Sequence, residues 1–431
     1  MNLFLYHAGH LILALFSLKI FSGNKSQFSF FEKLLMLSVA LIPIGKLVYF
    51  PIPGMYGLKF AFMFGSLVAF VWLMFIGVNR NTKILFFTFF FPALSLFYIQ
   101  NYEWIFLYQL NEQQTESSLL RVFSYLALLL YSAVIYTSIL KNKDIYTKFA
   151  DYFVIGTVLS SFVGFFVFYF VLNGSLSSVD LAPISAGVHI VNISGVSFYR
   201  FNPGANVNEF SMILAYAIFL MPFTSFSKKT KLWLALLFLL LEFLTLTRAA
   251  WLALAISALF SFFFLSRLKR NFKYLFLTVT AFVIVFIFIY QVSDQVRFLF
   301  ESRTTMDIGA SGQERLEKFN YVFNQLYESS FRLLFGYGWA TNMYVHNVYL
   351  QLLYEIGLVG LIFFIVSMFL YTRNVFFMAK GVMKASLIAC LVFITVVSFM
   401  HHILYHMQTW FVLAYVAAVS LNARYARTDV D

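Results

Sequence analysis

Arg200, Arg248, Arg315 and His346 are the residues of this chain whose types and settings could do chemistry together. A guanidinium is a planar, permanently charged fork suited to phosphate oxygens, and a neutral imidazole can accept a proton from a hydroxyl. Each sits beside a sequence signal that fixes its backbone. Arg200 lies in Tyr199-Arg200-Phe201-Asn202-Pro203-Gly204, a turn followed by Asn206-Val207-Asn208-Glu209 and an apolar run, so Asn206 and Glu209 fit a capping box that opens a helix. Anion binding and simple capping both account for that pattern. Arg248 follows Thr245-Leu246-Thr247 in a tight turn between apolar runs, with Glu242 as an available ion-pair partner. Arg315 follows Ser311-Gly312-Gln313-Glu314, a second capping box. There Leu316, Phe319, Phe323 and Leu326 predict an amphipathic helix over 312–328, with Arg315 off its apolar stripe and facing a cavity or solvent. His346 begins a long apolar run after Gly336-Tyr337-Gly338, where the glycines permit a tight backbone path; a polar residue at a membrane interface is the plainer reading of it.

The elements that must position these groups are membrane helices. Of 431 residues, 61% are hydrophobic, 21% aromatic and 11% charged, with 58 Phe, a balance that excludes a soluble globular protein. Apolar runs near 3–22, 33–50, 60–78, 84–100, 119–140, 149–172, 208–225, 232–247, 249–266, 272–292, 346–371, 385–402 and 407–422 predict twelve or thirteen spans. Residues 1–22 lack a basic leader region and a small-residue cleavage site, which favours a retained helix.

Lys and Arg collect in alternate connections, which the positive-inside rule assigns to the cytoplasm. Those connections hold 20 of the 30 basic residues and five acids, a charge of +15, so the formal net charge of +12 is a topology signal and not a mark of nucleic-acid binding. The C-terminus is then inside, and the N-terminus outside if residues 3–22 span. The inner connections use 14 Lys and 6 Arg; the outer side uses 7 Arg and only 3 Lys. Two outer connections are long, at 173–207 and 293–345, and loops of that length are usually functional or disordered. The chain thus divides into 1–172, the loop 173–207, helices over 208–292, the large loop 293–345 and helices over 346–431. The single Cys390 excludes an intrachain disulfide. His401, His402 and His406 form the one histidine group, and the outside has no DxD pair, so no metal or other cofactor is expected. Trp339 in the large loop could stack on a sugar.

Arg200 with the Asn-Pro-Gly and Asn-Val-Asn runs, Thr247-Arg248, Arg315, Gly336-Tyr337-Gly338, and His346-Asn347 with Leu350, Glu355, Gly357 and Gly360 together resemble the O-antigen ligase and O-antigen polymerase superfamily over about residues 195–370. The His-Asn-x-x-Leu…Glu-x-Gly element is the most specific part. The resemblance implies an all-α polytopic, GT-C-like enzyme of the bacterial inner membrane with a large helical periplasmic loop and a periplasmic active site. It implies transfer of a glycan from undecaprenyl diphosphate to an acceptor hydroxyl without a metal, with inversion at the anomeric carbon. Arg248 and Arg315 would hold the diphosphate, Arg200 the diphosphate or glycan, and His346 would be the general base. Asn208, Asn347, Tyr337 and Trp339 would line the substrate site.

The acceptor separates a polymerase, which extends a lipid-linked glycan, from a ligase, which loads lipid A–core or protein. The motifs serve both, and a Phe-, Ile-, Asn- and Lys-rich composition leans to the polymerase. Expected partners are the lipid-linked donor, the acceptor, membrane lipids, a chain-length regulator and a flippase, and no nucleic acid. The rival of another class, a lipid-linked sugar transporter, would show internal repeats, and none is visible between the halves.

Overall fold

The computed structural model describes residues 2–23, 27–47, 60–97, 109–110, 114–115, 118–172, 190–193, 196–203, 206–264, 310–339, 345–378 and 381–428. Its helices are α1 (Asn2–Gly23), α2 (Phe30–Leu41), α3 (Phe60–Phe75), α4 (Lys83–Ser95), α5 (Ser118–Lys141), α6 (Ile145–Leu172), α7 (Val207–Leu220), α8 (Lys228–Leu244), α9 (Arg248–Phe263), α10 (Ala310–Tyr327), α11 (Ser330–Phe335), α12 (Val348–Thr372), α13 (Val382–Ser398) and α14 (Met407–Thr428). Twelve of the thirteen apolar runs are helical, and the run 272–292 lies outside the described residues. Two antiparallel hairpins depart from the all-α expectation, β1 (Gln109–Leu110) with β2 (Gln114–Thr115), and β3 (Ile190–Ile193) with β4 (Val196–Tyr199).

Several helices are shorter than their apolar runs. The run 33–50 is helical only to Leu41, and the run 208–225 only to Leu220; each then tightens into a 3-10 turn containing Pro43 or Pro222. Proline lacks the N–H that the next α-helical bond needs. Three described helical segments are long and apolar enough to cross a membrane by themselves: Leu119–Lys141, Ile145–Tyr169 and Val348–Phe377.

Burial divides the helices into two kinds. α14 is buried on all sides from Trp410 to Val419, and α7 nearly so, which makes them the centre of the bundle. α4, α8 and α12 instead turn large apolar side chains outward: Phe87 and Phe90, Leu232, Trp233, Leu236 and Leu240, Ile362, Phe363 and Phe369. A water-soluble bundle would carry polar residues there, so the outer faces are built for lipid. α14 packs along α5, α9 along α13, and α4 against α12.

The two ends of the bundle differ chemically. At one end Gln27 donates to Asp144, Asn142 to Glu32 and Asn422 to the carbonyl of Ile139, joining the lysine-rich connections. At the other, Arg121 lies over the Tyr405 ring and the Trp339 amide donates to Ser95. Arg121 and Ile139 belong to one helix, α5, and are separated along it by about 27 Å. These contacts set Arg121 and the 142–144 connection at opposite ends of α5.

Candidate active site

Arg200 leaves the end of β4 and clamps two other segments. Its Nε donates to the Thr245 carbonyl at 2.9 Å, and one terminal nitrogen donates to Thr247 Oγ1 at 2.9 Å and Asn208 Oδ1 at 3.3 Å. The Phe201 amide donates to the Leu244 carbonyl, and the Phe201 ring is enclosed by Phe165, Phe168 and Phe210. Asn206 caps α7 as expected, with its side chain accepting from the Asn208 amide. Glu209, expected to complete a capping box there, lies 3.4 Å from His406. Its place at the first turn of α7 brings it to the start of α14, a tertiary contact that local spacing does not encode.

The turn that Arg200 grips passes through Leu246 at φ 53° and delivers Arg248 as the first residue of α9, where it is exposed. The expected alternative, a Glu242–Arg248 ion pair, is not formed. Glu242 is fully buried, accepts from Ser211 Oγ at 2.6 Å through Oε1, and gives its carbonyl to Trp251 Nε1. Its carboxylate is thus engaged with α7 through Ser211.

His346 is held by a second construction. α12 breaks at Gly357, φ 68°, and the carbonyls of Tyr354 and Glu355 accept from the amides of Tyr337 and Gly338. The Gly-Tyr-Gly segment thus fills the bonds that the break opens. A Cβ on Gly336 would run into the Glu355 backbone, and one on Gly357 into Leu334, so backbone meets backbone here. Tyr337 stacks on Tyr354 at 4.9 Å and donates to the Gln325 carbonyl, tying α10 to α12. Asn347 caps α12 by accepting from the Leu350 amide. His346, just before the cap, has φ 55°. Among the described residues, His346 and Leu246 are the only non-glycines with positive φ, a conformation that costs of order 1–3 kcal/mol and clusters at functional sites.

A buried relay braces that turn. Gln351 Oε1 accepts from the Val345 amide at 2.8 Å, and Gln351 Nε2 donates to Glu355 Oε1 at 2.7 Å. Sequence reasoning passed over Gln351, although Asn347, Gln351 and Glu355 recur at the four-residue step that puts them on one helix face.

α10 begins at Ala310, so Ser311 lies inside its first turn and is not its cap. Its packed face is Phe319, Val322 and Leu326, set against Tyr337, Val345, Leu350 and Tyr354; Leu316 and Phe323, expected on the stripe, are exposed. Arg315 is four, seven and eleven residues before those three, so it shares their face and was wrongly placed off it. That register turns the half-buried Arg315 toward the helical bundle.

The connection between α13 and α14 feels the charge of several of these groups. His401 and His402 are buried there, and both imidazoles are pushed down to about 3. Burial is the larger cause for each. For His401 the charges of Arg315, His406, His346 and Arg200 add to it, and for His402 those of Arg121, His406 and His346. Arg200, Arg315 and His346, distant in sequence, therefore lie within electrostatic reach of one neutral histidine, while Arg248 stands on the turn that Arg200 grips. Trp339 is fully buried with its ring between Tyr125 at 5.1 Å and Tyr405 at 6.2 Å, which leaves no open face for a sugar to stack on. Among the described residues no group of three His, Cys, Asp or Glu side chains could hold a metal ion.

The cluster combines fixed positive charge with imidazoles that stay neutral, which suits a substrate carrying both a phosphate and reactive hydroxyls. No curated protein matches the chain. Residues 233–365 match the family model described as O-Antigen ligase, a segment that contains Arg248, Arg315, the Gly336-Tyr337-Gly338 brace and His346. Over that segment, which carries several of its charged and strained residues, the chain is similar to the family described as O-Antigen ligase.

Proposed function

We propose that this protein is a GT-C-like glycosyltransferase of the bacterial inner membrane that moves a glycan from undecaprenyl diphosphate to the hydroxyl of a second glycan at the periplasmic face, as a polymerase. The observation that carries this reading is that Arg200, gripping the turn before Arg248, and the braced turn of His346 both adjoin the 399–406 connection, through Asn208 and Glu209 to His406 and through Tyr349 to Phe399, at the end of the bundle opposite the lysine-rich connections. Under the positive-inside rule that end faces the periplasm.

In the proposed reaction the acceptor oxygen attacks the anomeric carbon from the side opposite the diphosphate. The bond from that carbon to the diphosphate oxygen breaks, and its electron pair leaves with the diphosphate. Arg248 and Arg315 bind the growing negative charge. Arg200 holds the turn that aims Arg248, and contacts the diphosphate or glycan. His346 takes the hydroxyl proton as the new bond forms. Attack from the opposite face inverts the anomeric configuration. A chain-length regulator and a flippase are the expected partners.

The description of the matched family favours a second reading, a ligase that places the glycan on lipid A–core or protein. The lipopolysaccharide ladder of a deletion strain separates the two. One repeat unit on core marks loss of a polymerase, and bare core with retained lipid-linked polymer marks loss of a ligase. An unchanged ladder overturns both.

A further inference from the structure

The connection between α13 and α14 carries buried polar groups that the fold leaves unmet. His401 Nε2 is buried and has no hydrogen-bond partner among the described residues, and the same is true of Trp339 Nε1, whose ring meets Tyr405 of that connection. Native proteins pair nearly all such groups, and exceptions concentrate where a ligand or water completes the set. Neither is a cation. Trp Nε1–H is a neutral donor, and a positive charge at the buried His401 would be opposed by burial and by the charges of Arg315 and Arg200. The diphosphate is already matched by guanidinium groups; what a neutral imidazole and an indole N–H match is an uncharged hydroxyl.

We infer that the 399–406 connection forms a sugar-hydroxyl subsite beside the arginine cluster, in which His401 Nε2 hydrogen-bonds a hydroxyl of the glycan. The inference rests on the glycosyl-transfer reading and adds a substrate-binding residue from outside the segment that matches the family model. His401 follows α13 directly, with its amide bonded to the Val397 carbonyl, and His406 precedes α14 and meets Glu209. Both ends of the connection are therefore tied to the bundle, so the imidazole is offered to substrate by a fixed backbone.

The test separates diphosphate from glycan. Purified protein is assayed for affinity toward undecaprenyl diphosphate alone, and for transfer with the lipid-linked repeat unit extracted from the deletion strain. His401→Phe should lower transfer about twentyfold, the loss of one well-placed hydrogen bond, and leave undecaprenyl diphosphate affinity within about twofold. His401→Gln, which returns a polar atom near the Nε2 position, should recover most of that loss. Arg315→Ala should do the reverse and lose affinity for undecaprenyl diphosphate. Transfer within twofold of the parent in His401→Phe, a Gln variant as impaired as the Phe variant, or an undecaprenyl diphosphate affinity lost as in Arg315→Ala overturns the subsite. Should His401→Phe fail to fold, His401→Ala with added imidazole decides: restored transfer supports it and no restoration overturns it. A parent protein that neither binds undecaprenyl diphosphate nor transfers the glycan sinks the glycosyl-transfer reading itself, a result distinct from all of these.

Discussion

Gln351 joins the turn that carries His346 to the buried carboxylate of Glu355, accepting from the Val345 amide on one side and donating to Glu355 Oε1 on the other. Both residues are about 1% exposed, so neither bond has water in competition. Gln351→Leu removes both links and strands buried polar groups at about 1–3 kcal/mol each. The expected outcome is a protein that still assembles with a lowered melting temperature and transfers glycan at least tenfold more slowly. Thermal unfolding in detergent alongside a transfer assay checks both halves; full activity would show that the relay does not position His346.

His346→Ala tests the base itself. Alanine keeps the Cβ that makes a φ of 55° costly, so the backbone strain is unchanged and stability should shift little, while transfer falls by about two to four orders of magnitude. Product of near-normal length and yield from this variant would remove His346 from the mechanism.

Gly336→Ala and Gly357→Ala probe the backbone contact between the α11–α12 segment and the break in α12. Each places a methyl group into main chain at a positive φ, so each should cost more than the about 1 kcal/mol of an ordinary Gly→Ala misfit. Gly77→Ala is the control, with φ 75° and nothing near its added Cβ, and should show the backbone cost alone. Equal effects at all three positions, measured as unfolding midpoints, would mean that the close packing contributes nothing.

Arg200→Lys asks whether charge or geometry matters at the clamp. One ammonium cannot reproduce hydrogen bonds to the Thr245 carbonyl, Thr247 and Asn208 together, so Lys should behave much like Ala, with transfer reduced about tenfold or more. If Lys retains wild-type rates, the Thr245–Thr247 turn does not need the clamp.

His401 and His402 make a signed prediction about pH. Their imidazoles sit near 3 in the folded protein against an ordinary 6.5, so the unfolded chain takes up protons first as the pH falls. Their contribution is complete above about pH 6.5 and is lost progressively toward pH 3, by roughly 1 kcal/mol per pH unit for each histidine. Denaturant midpoints of the parent should therefore drop between pH 7 and pH 4.5, and His401→Gln with His402→Gln should flatten that drop. Parallel pH curves for parent and double variant would show that these histidines titrate normally.

Much of the site was legible because some signals are local. Apolar run length located the helices, the Asn206 cap is a short-range bond, and Gly336 and Gly357 announced a backbone that no larger residue tolerates. The errors have one source. Glu209 and Glu242 were assigned partners from neighbours in sequence, whereas their contacts are His406 and Ser211; Trp339, expected to meet a sugar, is enclosed with Tyr125 and Tyr405. Arg315 was misplaced because the stripe was centred on Leu316 and Phe323; which apolar residues of an amphipathic helix are buried depends on what lies beneath.

The sequence by itself determined that the chain is built of apolar membrane helices, that its connections alternate between lysine-rich and arginine-rich, and that Arg200, Arg248, Arg315 and His346 are its candidate groups. Composition, hydrophobic period and charge distribution are properties of the chain, and they suffice for that. Only the tertiary structure decided that Arg200 is a clamp on the turn before Arg248, that Gln351 braces the turn of His346, and that the 399–406 connection meets Glu209 through His406 and buries His401. Those relations join residues up to about two hundred positions apart, and they exist because helix packing fixes distances and burial that no local spacing contains.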